Sequence, residues 1–412
     1  MKLELFKIPR ALLPINSSIR AMSSKLQMNS AIIGCFLSKQ TVKIINPVYT
    51  SGIVSLLSIL NRNGSKAMIS DNFLKLDTKD FHLDLDFVKK FPLSFFKNLI
   101  PILLSKETNF DLKMNCQIIN NAELVILKNL GVDQATYKDS AYNLRGIITG
   151  GFVEHNRNIS DAFFSSLLMV LPTGISNSTI QFENEIPSYV HEILEIMKRF
   201  RIRFDLTDHI IKIYGNQKYD SQEIIIDGDW IESSYLMAIG ALYGSIRIDN
   251  LMKYNLDSNN SILRIYKDFG AHVEVRNKSL IVKQKDFKAF NHSLSEFSSL
   301  FPMLFLLASI ANEKSIFRDL DLILSKNKKR FEQTLKLLDQ ISIRYKIREN
   351  EIEILPGFKL KDKIYCNDDS RVVMSVSIFS LFHEKEVQIF HNSSITKNYP
   401  DFINDIEKIL YI

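Results

Sequence analysis

The sequence predicts an α/β chain built from six repeats, gathered in two closed groups of three that each share a core of buried helices. Three observations predict it. Short β-branched or apolar segments of one kind recur six times along the 412 residues, at intervals of roughly 67 to 71 residues. Each is preceded by a helical run that is apolar nearly all round, the mark of a helix buried on most sides. Each is followed by a polar loop and an amphipathic helix, so every unit has the same internal order.

The recurring strands are Thr41–Ile45, Asn109–Leu112, Thr179–Phe182, Ser245–Ile248, Ser315–Phe317 and Val387–Phe390. Ahead of them lie the apolar runs Leu26–Leu37, Ser94–Leu104, Ala162–Leu171, Ser233–Leu242, Leu300–Ala311 and Val372–Phe382. Behind them the amphipathic helices are expected at Ile53–Leu60, Ala122–Leu130, Tyr189–Phe200, Ser261–Phe269, Lys329–Leu338 and Phe402–Leu410. In the third of these Ile193, Ile196 and Met197 fall at i, i+3 and i+4, one face of a 3.6-period helix. Strand pairs are expected between units, Ile210–Tyr214 with Glu223–Ile226, and His272–Val275 with Ser279–Val282 across an Asn277-Lys278 turn. A single unit cannot hide its own apolar helix, so several must share a helical core. An open solenoid would need polar capping repeats, and none stands out. Two closed groups of three units follow.

Composition narrows the function. Hydrophobic residues at 46% and charged residues at 24% exclude a mostly disordered chain. The 52 basic and 46 acidic residues leave a net charge of +6, too mild and dispersed for a nucleic-acid footprint but welcoming to a small anion. Glycine numbers only 14, and neither GxxxxGK[ST] nor GxGxxG occurs, which excludes the familiar phosphate loops. Cys35, Cys116 and Cys366 are odd in number and far apart, so neither a disulfide frame nor a zinc site is indicated. Met1 to Arg10 lacks the apolar core of a signal peptide. The longest apolar stretch, Leu300–Ala311, falls short of the roughly 18 residues that span a bilayer. A soluble cytoplasmic protein is expected, bound to neither nucleic acid nor membrane.

Six short runs lie in register with the repeat. They are Ser23–Asn29 (SSKLQMN), Asn158–Phe163 (NISDAF) with Leu167-Leu-Met169 and Pro172, Asp227–Tyr235 (DGDWIESSY), Ser325-Lys326 with Arg330, Asp369-Ser-Arg371, and Thr396–Asp401 (TKNYPD). In this order they resemble the GSKSxSN, SxSSQF…LLM…P, EGDxSSASY, KExDR, DHR and AKTFPD motifs of the enolpyruvyl transferase family, over essentially the whole chain. The resemblance implies a two-domain inside-out α/β barrel of six repeats, buried helices surrounded by sheets, with residues 1–20 and 227–412 against residues 21–226 and an active site in the cleft between them. It implies transfer of the enolpyruvyl group of phosphoenolpyruvate to a hydroxyl of a shikimate-like acceptor, with release of phosphate. No metal or organic cofactor is implied, and a monomer is expected.

That reaction needs cations for a phosphate and a carboxylate, an acid for the methylene carbon and a base for the hydroxyl. The resemblance places Lys25, Lys326, Arg330, Arg371 and Lys397 at phosphoenolpyruvate-binding positions, with Lys25, Lys326 and Asp369 as catalytic candidates. It places Ser160, Asp161, Tyr189 and Ser299 at acceptor-binding positions. Family arginines that hold substrate fall on Ser30, Lys97 and Gln117, and a phosphate-binding serine falls on Ile186. The catalytic aspartate falls on Ser299, the KExDR glutamate on Asn327 and the DHR histidine on Ser370. Serine and asparagine do not transfer protons near neutral pH, so that work would pass to Asp369, Asp368 or Glu296. Asp161 has two readings. It is a cap for the helix that follows, or it is a carboxylate that opposes an acceptor phosphate by on the order of 4 kcal/mol at about 4 Å. Two functions stay open: a divergent carboxyvinyl transferase of the shikimate-pathway type, or a non-catalytic descendant that binds an anion or a partner protein.

Overall fold

The computed structural model describes the chain except residues 1–3, 10, 82–92, 106–107, 114–117, 140, 157, 253–260, 367, 392–397 and 412. It divides into two compact units, one made of Lys25–Val48 and Ile53–Ile226, the other of Met1–Ser24, Tyr49–Gly52 and Asp227–Ile412. No helix among the described residues is long and apolar enough to cross a membrane.

The 25–226 unit holds helices α1 (Lys25–Ser38), α2 (Ser51–Arg62), α3 (Leu93–Leu103), α4 (Asn121–Asn129), α5 (Asp161–Val170) and α6 (Ser188–Arg199). Helix α5 packs against both α1 and α3 at the centre. Its Phe163, Phe164, Leu167, Leu168, Met169 and Val170 are all fully buried. At about 1.5–3 kcal/mol per large apolar side chain, that burial stabilises by roughly 9–18 kcal/mol at most. Around these helices lie three sheets, each with alternating buried and open positions. In Thr41–Ile45, for example, Val42 and Ile44 are buried while Lys43 is exposed, the period-2 pattern of a half-buried strand. Helix α1 approaches α6 so closely that a Cβ added at Gly34 would lie 2.3 Å from the Phe200 ring.

The 227–412 unit holds α7 (Trp230–Tyr243), α8 (Ser261–Phe269), α9 (Phe301–Ile310), α10 (Leu320–Gln340), α11 (Ser370–Phe379) and α12 (Phe402–Tyr411). Helix α11 packs against α7 and α9 and is buried along its whole length. The Tyr243 hydroxyl donates to the Ile378 carbonyl at 2.8 Å, which ties α7 to α11. Here too three sheets surround the helices. The apolar runs Leu26–Leu37, Ala162–Leu171, Ser233–Leu242, Leu300–Ala311 and Val372–Phe382 are therefore helices buried over most of their length, as their composition requires, while the first side chains of Ser94–Leu104 lie outside those described.

Among the described residues, four of the six sheets share one order, a parallel pair at one edge followed by two antiparallel strands. Two elements differ from expectation. Glu223–Ile225 does not pair with Ile210–Ile213; it runs parallel to Thr41–Ile45, Ile224 opposite Ile44, and Phe204–Leu206 takes the antiparallel place beside Ile210–Ile213. Glu223 also meets Lys43 at 3.4 Å in that register. Helix α10 begins nine residues earlier than Lys329 and bends at Asn327, whose backbone (φ −133°, ψ 29°) leaves the helical region.

Candidate functional site

In the 25–226 unit the expected acceptor residues gather at the start of α5. Ser160 is the N-cap, with extended backbone and an Oγ that accepts the Phe163 N–H at 3.4 Å. The cap is therefore Ser160 and not Asp161. Asp161 is the first helical residue and is exposed, where a carboxylate sits well against the positive end of the helix. Tyr189 opens α6 and its hydroxyl lies 3.2 Å from His155 Nε2. Burial first, and the Asp161 charge second, push the Tyr189 phenol well above its ordinary range, so it stays neutral and its O–H is available as a hydrogen-bond donor.

Beneath this turn lies a carboxylate that sequence reasoning missed. Glu123 is wholly buried; its Oε1 accepts the Ser160 N–H at 3.0 Å and the Ser160 O–H at 2.6 Å, and its Oε2 accepts the Asn120 N–H at 2.8 Å. Lys97 Nζ stands 3.5 Å from Oε2, so the charge of Lys97 is balanced inside the protein. The signal was present as a capping box, Asn120 with Glu123 three residues on. Lys25 opens α1 and is half-buried, while Ser30 and Ile186 are buried. Gln117 lies outside the described residues.

In the 227–412 unit a second group meets where α10 bends. Arg330 donates from Nε to Asp369 Oδ2 at 2.8 Å and from Nη1 to Asn327 Oδ1 at 3.4 Å. Asn327 Nδ2 donates to the Ser298 carbonyl at 3.2 Å, which brings it beside the turn that carries half-buried Ser299. Asp369 is also the N-cap of α11: its Oδ1 accepts the N–H groups of Arg371 and Val372 at 2.9 and 3.3 Å. Asp368 accepts from Lys329 at 2.9 Å, and that contact holds its carboxyl below the usual range. Glu296 pairs with Arg264. All three carboxylates considered as replacement bases are thus engaged by cations.

Arg371 is buried and meets the wholly buried Glu232 at 2.6 Å. Burial is the largest single influence and works against its charge, but Glu232, Tyr235 and Asp229 together outweigh it and hold the guanidinium protonated beyond its ordinary range. Ser370 Oγ accepts from Asn398. Lys326 is exposed on α10, and Lys397 lies outside the described residues. The arrangement offers hydrogen-bond orientation and a partly exposed guanidinium at Arg330, and neither Ser299 nor Asn327 transfers protons near neutral pH.

Solved structures share this fold. The enolpyruvyl transferase NikO from Streptomyces tendae superposes with TM-score 0.80 at 16% identity, covering 99% of this chain and 97% of that one. EPSP synthase from Acinetobacter baumannii does so with TM-score 0.79 at 13% identity, over 99% and 98%. Among curated relatives, the 3-phosphoshikimate 1-carboxyvinyltransferase of Brachyspira hyodysenteriae is 26% identical over 413 residues, 96% of each chain. That of Pyrococcus abyssi is 29% identical over 262 residues, and the match spans 63% of this chain and 63% of the relative. The family model for EPSP synthase (3-phosphoshikimate 1-carboxyvinyltransferase) matches residues 124–406. On that match the chain belongs to the EPSP synthase family.

Proposed function

We propose that the chain is a divergent 3-phosphoshikimate 1-carboxyvinyltransferase-like protein of the shikimate-pathway type, acting as a monomer. In this reading it holds phosphoenolpyruvate through Arg330 and the lysines Lys25, Lys326 and Lys397. It transfers the enolpyruvyl group slowly to a hydroxyl of a cyclic acceptor. Residues 1–20 with 227–412 and residues 21–226 are its two domains, six variants of one unit of about 69 residues.

The observation that carries the reading is the junction at the bend of α10, where Arg330, Asn327 and the Ser298–Ser299 turn meet. A planar guanidinium fork suits phosphate or carboxylate, and a transfer site needs proton-handling groups beside it. In the transfer, the acceptor oxygen bonds to C2 of phosphoenolpyruvate and loses its proton. The methylene carbon gains a proton, gives it up again, and phosphate leaves with the electron pair of the C–O bond. Ser299 and Asn327 can orient these groups but not carry the protons. From a typical turnover of about 10 s⁻¹, each lost acid–base group costs about 10²–10⁴-fold, so the loss of both lowers it by up to roughly 10⁸-fold if the two are additive. On the acceptor side, exposed Asp161 and the internally balanced Lys97 favour a hydroxylated ring over a phosphorylated one.

A second reading, a non-catalytic anion binder, is favoured by one observation: both Asp369 oxygens are taken, by the α11 cap and by Arg330. Phosphate release from phosphoenolpyruvate, with shikimate or shikimate 3-phosphate as acceptor, separates the two when run beside calorimetric binding of phosphoenolpyruvate. Binding with slow release supports the first reading, binding without release the second. Absence of binding overturns both.

A further inference from the structure

We infer that Glu232 is a built-in carboxylate that occupies Arg371, so that this arginine binds no ligand while Glu232 is in place. The inference rests on reading Arg371 as a former phosphoenolpyruvate-binding position. Glu232 Oε2 lies 2.6 Å from Arg371 Nη1, and the two side chains are 0% and 9% exposed. The guanidinium carbon also stands over the buried Tyr235 ring, 5.8 Å from its centroid, a second contact inside the protein.

Both partners are fixed from the backbone up. Asp229 caps α7 by accepting the Glu232 N–H at 3.0 Å, and Asp369 caps α11 by accepting the Arg371 N–H at 2.9 Å. The pair therefore joins the first turns of two buried helices 139 residues apart in sequence. Counted along the run that resembles EGDxSSASY, a serine stands where this chain has Glu232. A serine leaves the arginine's charge for a ligand; a glutamate does not. For a ligand carboxylate or phosphate to reach Arg371, it would have to share one cation with Glu232 at a site where neither anion is hydrated, or expel Glu232 into the core. Either costs far more than an exposed anion contact returns.

Glu232→Gln tests this. The substitution leaves Arg371 charged and unpaired, so the melting temperature should fall by roughly 6–20 °C. Acetate should then raise it markedly more for the variant than for the unsubstituted chain, because a small carboxylate answers the Arg371 charge that the amide leaves unneutralised. Phosphoenolpyruvate should bind the variant at least about tenfold more tightly than it binds the unsubstituted chain. Adding Arg371→Met to Glu232→Leu removes both charges, and both gains should vanish. Equal acetate responses and unchanged phosphoenolpyruvate affinity in Glu232→Gln would overturn the inference. Should that variant fold only in acetate, the inference stands. Should it not fold at all, Glu232→Asp retracts the carboxylate by one methylene and should still tighten phosphoenolpyruvate binding; unchanged affinity there overturns the inference. If the unsubstituted chain binds no phosphoenolpyruvate, the proposed function fails, and the acetate response still decides the role of Glu232.

Discussion

Replacing Glu123 by glutamine should destabilise the 25–226 unit by about 2–4 kcal/mol. The magnitude follows from what the carboxylate receives. Oε1 takes the N–H and O–H of Ser160, and Oε2 takes the Asn120 N–H with Lys97 nearby. A carboxylate accepts on both oxygens, whereas an amide keeps one oxygen and turns an NH₂ toward donors on its other side. With the amide oxygen kept toward Ser160, the Asn120 N–H and the new NH₂ are both buried without acceptors. An orphaned buried donor costs about 1–3 kcal/mol, and the surviving bonds lose their charge assistance. Thermal unfolding followed by circular dichroism should show a melting temperature lower by roughly 5–15 °C, at about 2–4 °C per kcal/mol for a unit of this size. Glu123→Leu should be worse, since it leaves all three donors unanswered. A Glu123→Gln shift under about 2 °C would refute the reasoning, because the buried carboxylate would then contribute little beyond its volume.

Three further outcomes are expected. Ser299→Asp with Asn327→Glu should recover little phosphate release in a coupled assay, since the acceptor side keeps Asp161 and the paired Lys97; recovery to about 10 s⁻¹ would contradict this. Gly34→Ala should lose about 1–2 kcal/mol by chemical denaturation, because the new methyl meets the buried Phe200 ring at 2.3 Å and overpacking outweighs the gain in helix propensity. Burial holds His292 below its usual range, with Asp268 and Glu296 pulling it up and Arg264 pushing it down. The unfolded chain therefore binds the proton more readily, so stability should fall as pH drops below about 6.5 and the loss should be smaller in His292→Gln; a flat or rising urea midpoint from neutral to mildly acid pH would contradict it.

Local pattern carried most of the elements. Ser261–Phe269 and Thr41–Ile45 are observed with the bounds their periodicity predicts, because an apolar stripe has only one way to face a core. The partner of Glu223–Ile225 was not legible, since strand pairing is a long-range choice and the nearby Ile210–Ile213 has the same apolar alternation. The bend at Asn327 was hidden for a similar reason: a polar run on an exposed helix face looks the same as a loop. Glu123 and Glu232 were missed because glutamate in an apolar surround is normally counted as surface, and only its partners reveal why it stays buried. The candidate site positions were proposed from motif fragments, and the contacts that engage them were not legible. That Arg371 is held by Glu232 and that Asp369 caps a helix are properties of contacts far apart in sequence.

The motif residues that this chain keeps and those it has exchanged differ in their structural duties. Ser160, Asp229 and Asp369 are N-caps of α5, α7 and α11, three helices buried over most of their length. The first turn of a helix has N–H groups without partners inside the helix, and a side-chain oxygen on them is worth about 0.5–2 kcal/mol each. Those positions are stabilised by the fold whether or not any transfer takes place. Helix α9 starts differently: Leu300 makes no side-chain cap, and Pro302 in the first turn removes one of the N–H groups that would need one. A carboxylate at position 299 therefore has no cap to supply, and Ser299 costs the fold nothing. The Asp369 carboxylate, by contrast, is doubly committed, to the cap and to Arg330, and its use as a base would withdraw support from both. Retained caps thus speak for the architecture, while positions 299 and 327, which lie outside that duty, speak for the chemistry.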